Sequence, residues 1–167
     1  MSIRNRTEGV TLVALSITII VLLILAGIGV YSGKEIIQKA KLEELKTNML
    51  LIQAKAREYL EDATFKMGIN PDDDKKASVR NEVYIEEAKL QKAAESEIPS
   101  SFEITDTTTC YWLTPETQAN WGLSKMELGE NEKYLIRFDE ENVTVEIYNT
   151  EGYSGKYSLT EIDQVQE

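Results

Sequence analysis

The chain has 167 residues, with 18 Lys+Arg against 29 Asp+Glu, a net charge of −11 and no histidine. One cysteine and no histidine exclude a Ser-His-Asp triad, a Cys-His pair, a His/Cys zinc site and an internal disulfide. The acidic balance argues against nucleic acid as a partner, because phosphate backbones need cationic surface.

No charged residue falls between Gly9 and Gly33. The run Val10–Tyr31 reads VTLVALSITIIVLLILAGIGVY, 22 residues. As a helix it extends about 33 Å, enough to span the hydrocarbon core of a bilayer. Its polar side chains ahead of Gly27 are Thr11, Ser16 and Thr18, hydroxyls that bond back to helix carbonyls. The run is read as a membrane helix. It is longer than the apolar core of a secretory signal peptide, and Leu25-Ala26-Gly27 is not a small-x-small cleavage site. Arg4 and Arg6 precede it and Lys34, Lys39 and Lys41 follow, so positive charge does not orient the span. The long acidic C-terminal part favours an outside location. On pattern alone, a plain single-span anchor is the alternative.

Gly9 followed by Val10-Thr11-Leu12-Val13 and a long uncharged helix resembles the class III leader of type IV pilins and type II secretion pseudopilins. The stretch GVTLVALSITIIVLLILAG looks like pilin-like proteins of clostridia and their Gram-positive relatives. The resemblance is specific over residues 6–33 and architectural beyond. It implies cutting after Gly9 by a prepilin peptidase on the cytoplasmic side, then methylation of Val10. It also implies assembly through the helix surface, carried by Val10, Leu12, Val13, Ala14, Leu15, Ile17, Ile20, Val21 and Ile24. Family members usually place Glu at the fifth mature position, where this chain has Ala14. Two readings follow: a minor or tip subunit, or a lineage that assembles without the pairing that Glu is thought to make.

Beyond Lys34 the helix turns polar. Leu45, Met49, Ile52, Ala56, Tyr59, Leu60, Ala63 and Met67 recur at spacings of three and four, one helical face. With no Pro before Pro71, one continuous helix of about 55 residues is expected. Gly27, Gly29 and Gly33 are its weakest stretch, each costing about 1 kcal/mol relative to Ala.

Gly68-Ile69-Asn70-Pro71 breaks the helix. Asp72, Asp73 and Asp74 are a weak Ca²⁺ candidate, set against a solvated loop, and Lys75 and Lys76 oppose a cation. A second helix is expected over Ser78–Glu97, with Ser78 as N-cap and Pro99 as its close. Thr107–Leu113 reads as a strand. Thr114-Pro115-Glu116 reads as N-cap, N1 proline and first-turn acid of a short helix toward Trp121. Lys133–Phe138 and Val143–Tyr148 alternate around the turn 139–142, a β-hairpin. Tyr157–Leu159 is a final short strand and Thr160–Gln164 a tail.

The expected fold is therefore α+β: a long N-terminal helix, half transmembrane and half amphipathic, packed on a small antiparallel sheet of about three strands. Its parts are a leader (1–9), a transmembrane and assembly helix (10–33), its amphipathic continuation (34–67) and a globular head (68–167). Among single residues, Cys110 reads as a buried small hydrophobe or a reactive thiol. Trp112 and Trp121 read as core, or as anchors for a partner or a glycan. Glu140 and Glu141 read as solvated turn residues.

The expected function is a structural subunit of a type IV pilus or type II secretion-type filament, single-pass in the cytoplasmic membrane with its head extracytoplasmic. Its partners would be the prepilin peptidase, other pilin-like subunits and membrane lipid, with no enzyme activity, cofactor or nucleic acid implied. The alternative is a membrane-anchored extracytoplasmic binding domain that does not polymerise.

Overall fold

The computed structural model describes residues 6–165, with the side chains of residues 14–23 and 35–165. The chain divides into two units, Met1–Leu42 and Glu43–Glu167. Helix α1 (Arg6–Met67) is unbroken in its hydrogen bonding, including at Gly27, Gly29 and Gly33. No helix among the described residues is long and apolar enough to cross a membrane. Most of the expected span Val10–Tyr31 lies outside the described side chains, which include only residues 14–23 of it.

The second unit is α+β. The sequence stripe predicted for α1 is its core face: Leu45, Met49, Ile52, Ala56, Leu60, Ala63 and Met67 are buried, and Tyr59 half-buried. Full burial of a side chain such as Ile52 or Leu60 contributes about 2 kcal/mol. This segment packs on a five-stranded sheet ordered β1-β2-β3-β4-β5, antiparallel throughout. The strands are β1 (Gln91–Lys92), β2 (Cys110–Trp112), β3 (Tyr134–Asp139), β4 (Thr144–Tyr153) and β5 (Lys156–Ser158). Gln53 of α1 donates from Nε2 to the Val145 carbonyl at 2.8 Å, tying helix to sheet.

Register explains the two sheet faces. Tyr111 pairs with Ile136 and Ile136 with Ile147, so these share one face with Tyr134, Phe138 and Val145. On that face Tyr84 stacks on Phe138 with centroids 4.1 Å apart. The opposite face is not left to water. Cys110, Trp112, Leu135 and Tyr148 form a second cluster there with Ala93 and Phe102. Phe102 comes from a 3-10 turn (Ser100–Phe102) and stacks on Tyr148 at 5.0 Å. The connection between β1 and β2 thus closes a small second core.

Several local expectations differ. Asp72–Asp74 is not a free loop: Asp72 caps α2 (Asp73–Arg80), its Oδ1 accepting from the Lys75 amide at 2.7 Å. The expected helix Ser78–Glu97 therefore starts earlier, and it ends earlier as well. It passes into a π-helical turn (Asn81–Glu87) and stops at Ala88. Lys89 is left-handed (φ 63°), and its carbonyl accepts hydroxyl hydrogen bonds from Thr114 and Thr117. Gln91 and Lys92 then pair with Trp112 and Tyr111, so sheet-edge pairing replaces helix. Thr114 caps α3 (Pro115–Asn120) as predicted, accepting from the Thr117 amide at 3.0 Å. The expected tail Thr160–Gln164 is helical as far as Asp163: it forms α4 (Leu159–Asp163), capped by Ser158, with Gln164 as C-cap, and anchored by buried Leu159 and Ile162.

Candidate functional site

In the first unit, every described side chain of residues 14–23 is exposed, and Ser16 and Thr18 are the only polar ones. Exposure of the large apolar side chains here runs from 46% at Val21 to 67% at Leu23. At 100° per residue, Leu15, Ile17 and Ile19–Leu23 leave no gap wider than about 100° around the helix. This is an apolar coat and not a stripe. The Thr18 hydroxyl donates to the Ala14 carbonyl at 2.7 Å and approaches the Leu15 carbonyl at 3.0 Å, so it does not need water. A helix that is apolar all round belongs in an apolar surrounding. Ala14 lies inside the coat and adds no charge to it.

The coat contains five of the expected assembly residues: Ala14, Leu15, Ile17, Ile20 and Val21. The side chains of Gly9, Val10, Leu12, Val13 and Ile24 lie outside the described ones. The helical backbone begins at Arg6, which puts the Gly9–Val10 bond in the first turns of α1.

In the second unit, sequence reasoning missed an exposed apolar set on the side of α1 away from the head core. Leu50 and Leu51 are exposed there, and Phe65 is 85% exposed. It also missed a polar constellation at the tip of the β3–β4 hairpin. Arg80, at the end of α2, grips Glu140 through Nη2–Oε2 at 2.6 Å and Nε–Oε1 at 2.9 Å. Glu140 is thus an ion-pair partner rather than a solvated turn residue, while Glu141 is exposed. The pair borders a cleft of about 690 Å³ that also takes in Lys76, Asp106, Arg137 and Asn142. Side chains of both charges line it, and burial pushes the nearby Tyr84 phenol above its ordinary range. No nucleophile–base pair converges there.

Cys110 is fully buried in β2, and burial pushes its thiol up to about 11. It is a core residue with little thiolate at neutral pH. Trp121 is buried and stacks on Tyr59 at 5.4 Å. Asp72, Asp73 and Asp74 serve helix α2, and among the described residues no group of three or more His, Cys, Asp or Glu is placed to hold a metal ion.

A second polar feature lies beside Trp112. Glu132 accepts from the Gly129 amide at 2.9 Å, the Tyr134 hydroxyl at 2.8 Å and the Asn149 amide group at 2.7 Å. Asn149 is fully buried, and its Oδ1 accepts from the Glu151 and Gly152 amides. Thr150 accepts from the Lys133 amide at 2.8 Å. These bonds fix the segment 129–133. No local pattern announces them, because Glu132 and Asn149 meet only through strand pairing. Compared with protein-family models, curated proteins and solved structures, the chain matches none.

Proposed function

We propose that this chain is a pilin-like structural subunit of a type IV pilus or type II secretion-type filament. The apolar coat of residues 14–23 carries the reading. A side-chain shell that is apolar in every direction suits two surroundings in succession, the bilayer and the interior of a helical bundle. Transfer between them costs little desolvation, because lipid tails are as apolar as packed Leu and Ile. The α+β head, with the long helix covering one sheet face, supports the same reading.

In this account the prepilin peptidase cuts after Gly9, and the new terminus Val10 is methylated. The chain sits single-pass in the cytoplasmic membrane with its head extracytoplasmic. Val10, Leu12, Val13 and Ile24 extend the coat formed by Ala14, Leu15, Ile17, Ile20 and Val21. The subunit packs and does not catalyse. Ala14 places it among minor, tip or divergent subunits, since no carboxylate is available to meet a neighbour's amine.

The test is N-terminal mass analysis of protein purified from its native cell, together with assay of sheared surface material. A mature Val10 terminus with head in the sheared fraction is expected. An intact Met1 or a terminus near Gly29 overturns the reading. A mature Val10 with no sheared material leaves a processed anchor that does not polymerise.

A further inference from the structure

We propose that the C-terminal end of α1 is a docking site for a second copy of this chain, and that the segment around Ile36 and Ile37 of that copy occupies it. Phe65 is 85% exposed and Ile69 95%, more than any other large apolar side chain among the described residues. At 100° per residue, Phe65 stands roughly 170° from the mean direction of buried Leu60, Ala63 and Met67, so the head core does not reach it. Gly68, with φ at 74°, ends the helix, and its amide donates to the Thr64 carbonyl at 3.2 Å. Ile69 is thus carried outward on a defined cap.

The rim of this patch is acidic. Glu61 and Asp62 lie one turn before Phe65, about 40° and 60° to either side of it around the helix. Asp73 and Asp74 open the next helix. Asp62 is held by Lys66, but Glu61, Asp73 and Asp74 make no ion pair among the described residues. The nearby cations are mostly committed. Lys66 is shared by Asp62, Glu82 and Glu87, Arg80 is held by Glu140, and Lys76 lines the cleft beside it. Exposed Lys75 is left against three carboxylates.

The chain itself carries an apolar segment of the opposite charge. Ile36 and Ile37 are 67% and 57% exposed, and with exposed Ala40 they form one face of α1. Lys39 and Lys41 edge that face, roughly 100° to either side of its centre, and neither makes an ion pair among the described residues. Glu35 is the one acid beside them. Lysine-edged isoleucines set on a carboxylate-edged phenylalanine give apolar contact at the centre and attraction at the rim. Leu50 and Leu51 lie one turn from uncharged Thr47 and Ala54, so charge assigns them no such partner. Both segments belong to the one helix α1, so the occupant comes from another copy. Two different patches meeting between copies make a heterologous contact, which repeats from copy to copy. The patch is small, and the inference rests on the filament reading, in which a shared membrane raises the effective concentration of copies.

The experiment is oxidative cysteine cross-linking of the full-length chain in membranes of its native cell, since a disulfide forms only where two Cα atoms come close. Cys110 is buried, so the wild type should stay monomeric on non-reducing gels. Ile37→Cys/Phe65→Cys should give a ladder of dimers and larger species, because each copy docks on one neighbour and receives the next. Either substitution alone should give no ladder, and the two single variants expressed together should give dimers only. Adding Glu61→Lys should cut the ladder, and adding Lys39→Glu/Lys41→Glu to that should restore it. All these positions are exposed, so the purified variants should keep the wild-type melting temperature. A double variant that stays monomeric overturns the proposal. So does a Phe65→Cys variant that dimerises alone as readily as the pair, or a ladder indifferent to Glu61→Lys. The Val10 terminus and the sheared fraction score the filament reading separately. Sheared head without a ladder overturns the docking alone, and a ladder without sheared head upholds the docking while overturning the filament.

Discussion

Arg80 and Glu140 are sixty positions apart, yet the guanidinium holds both carboxylate oxygens of its partner, at 2.9 and 2.6 Å. The Glu140 side chain is 10% exposed and that of Arg80 21%, so water does little to screen the pair. The bond fixes the β3–β4 tip to the end of α2. Removing one partner strands the other charge in a dry place, which costs about 3 kcal/mol. Glu140→Ala should therefore lose about that much unfolding free energy in urea. The double variant Arg80→Met/Glu140→Leu should lie closer to wild type, because neither charge is left behind. A loss below about 1 kcal/mol for Glu140→Ala would mean that the pair behaves as an ordinary surface bridge.

That pair also marks the boundary of what the sequence discloses. Local signals were legible. The three-and-four spacing from Leu45 to Met67 is the buried face of α1, Thr114-Pro115 caps α3, and the alternation of Tyr134, Ile136 and Phe138 marks β3. The assembly residues from Ala14 to Val21 were legible as a composition, since an apolar coat needs no tertiary partner to be recognised. Features that depend on distant residues were not legible. Whether residues after Ala88 continue as helix depends on Thr114 and Thr117 reaching the Lys89 carbonyl and on Trp112 pairing with Gln91. The second core needs Phe102 to cross onto Tyr148, and the turn beside Trp112 needs Asn149. Each of these joins residues at least twelve positions apart, and no local pattern encodes that.

The buried thiol of Cys110 predicts a stability change at high pH. Its folded-state value is raised from 9.0 to about 11 by burial, with the nearby Lys92 and Arg137 opposing. The folded state therefore keeps a proton that the unfolded chain loses. Stability is fully present below pH 9 and falls as pH rises toward 11, where the folded thiol ionises too. Tyr111, raised by burial to about 12 from 10.0, adds the same sign of change at higher pH. Urea unfolding across this range should show the decline starting earlier in wild type than in Cys110→Ala. Parallel curves for the two proteins would rule out the thiol as the cause.

Val143 closes the β3–β4 turn with φ at 53°, a left-handed conformation that a β-branched residue adopts only under constraint. The constraint is local. Asp139 Oδ1 accepts from the Asn142 amide at 3.0 Å and the Glu141 amide at 3.2 Å, winding the chain so that the next residue must turn left. Val143 is 38% exposed and contributes little burial in return. Val143→Gly should raise unfolding free energy by about 1 kcal/mol, the left-handed penalty less glycine's extra chain entropy. A lower melting temperature for this variant would contradict it.

Gly152 carries the opposite expectation. Its φ is 60°, and a Cβ there would run into the Lys156 carbonyl and come within 2.7 Å of Tyr157 Cδ1. Neither can retreat freely. The carbonyl belongs to β5, and the Tyr157 ring packs 5.9 Å from Phe102 over the second core. Gly155 provides the control, because it too has positive φ, at 76°, but a Cβ there meets open space. Gly155→Ala should cost only the left-handed penalty, about 1 kcal/mol. Gly152→Ala adds a collision with backbone to that penalty and should cost about 3 kcal/mol. The collision would displace Tyr157 from Phe102, so near-ultraviolet circular dichroism should change in Gly152→Ala and not in Gly155→Ala. Equal losses in the two variants would show that β5 yields at little cost and that close approach at Gly152 does not hold the strand in register.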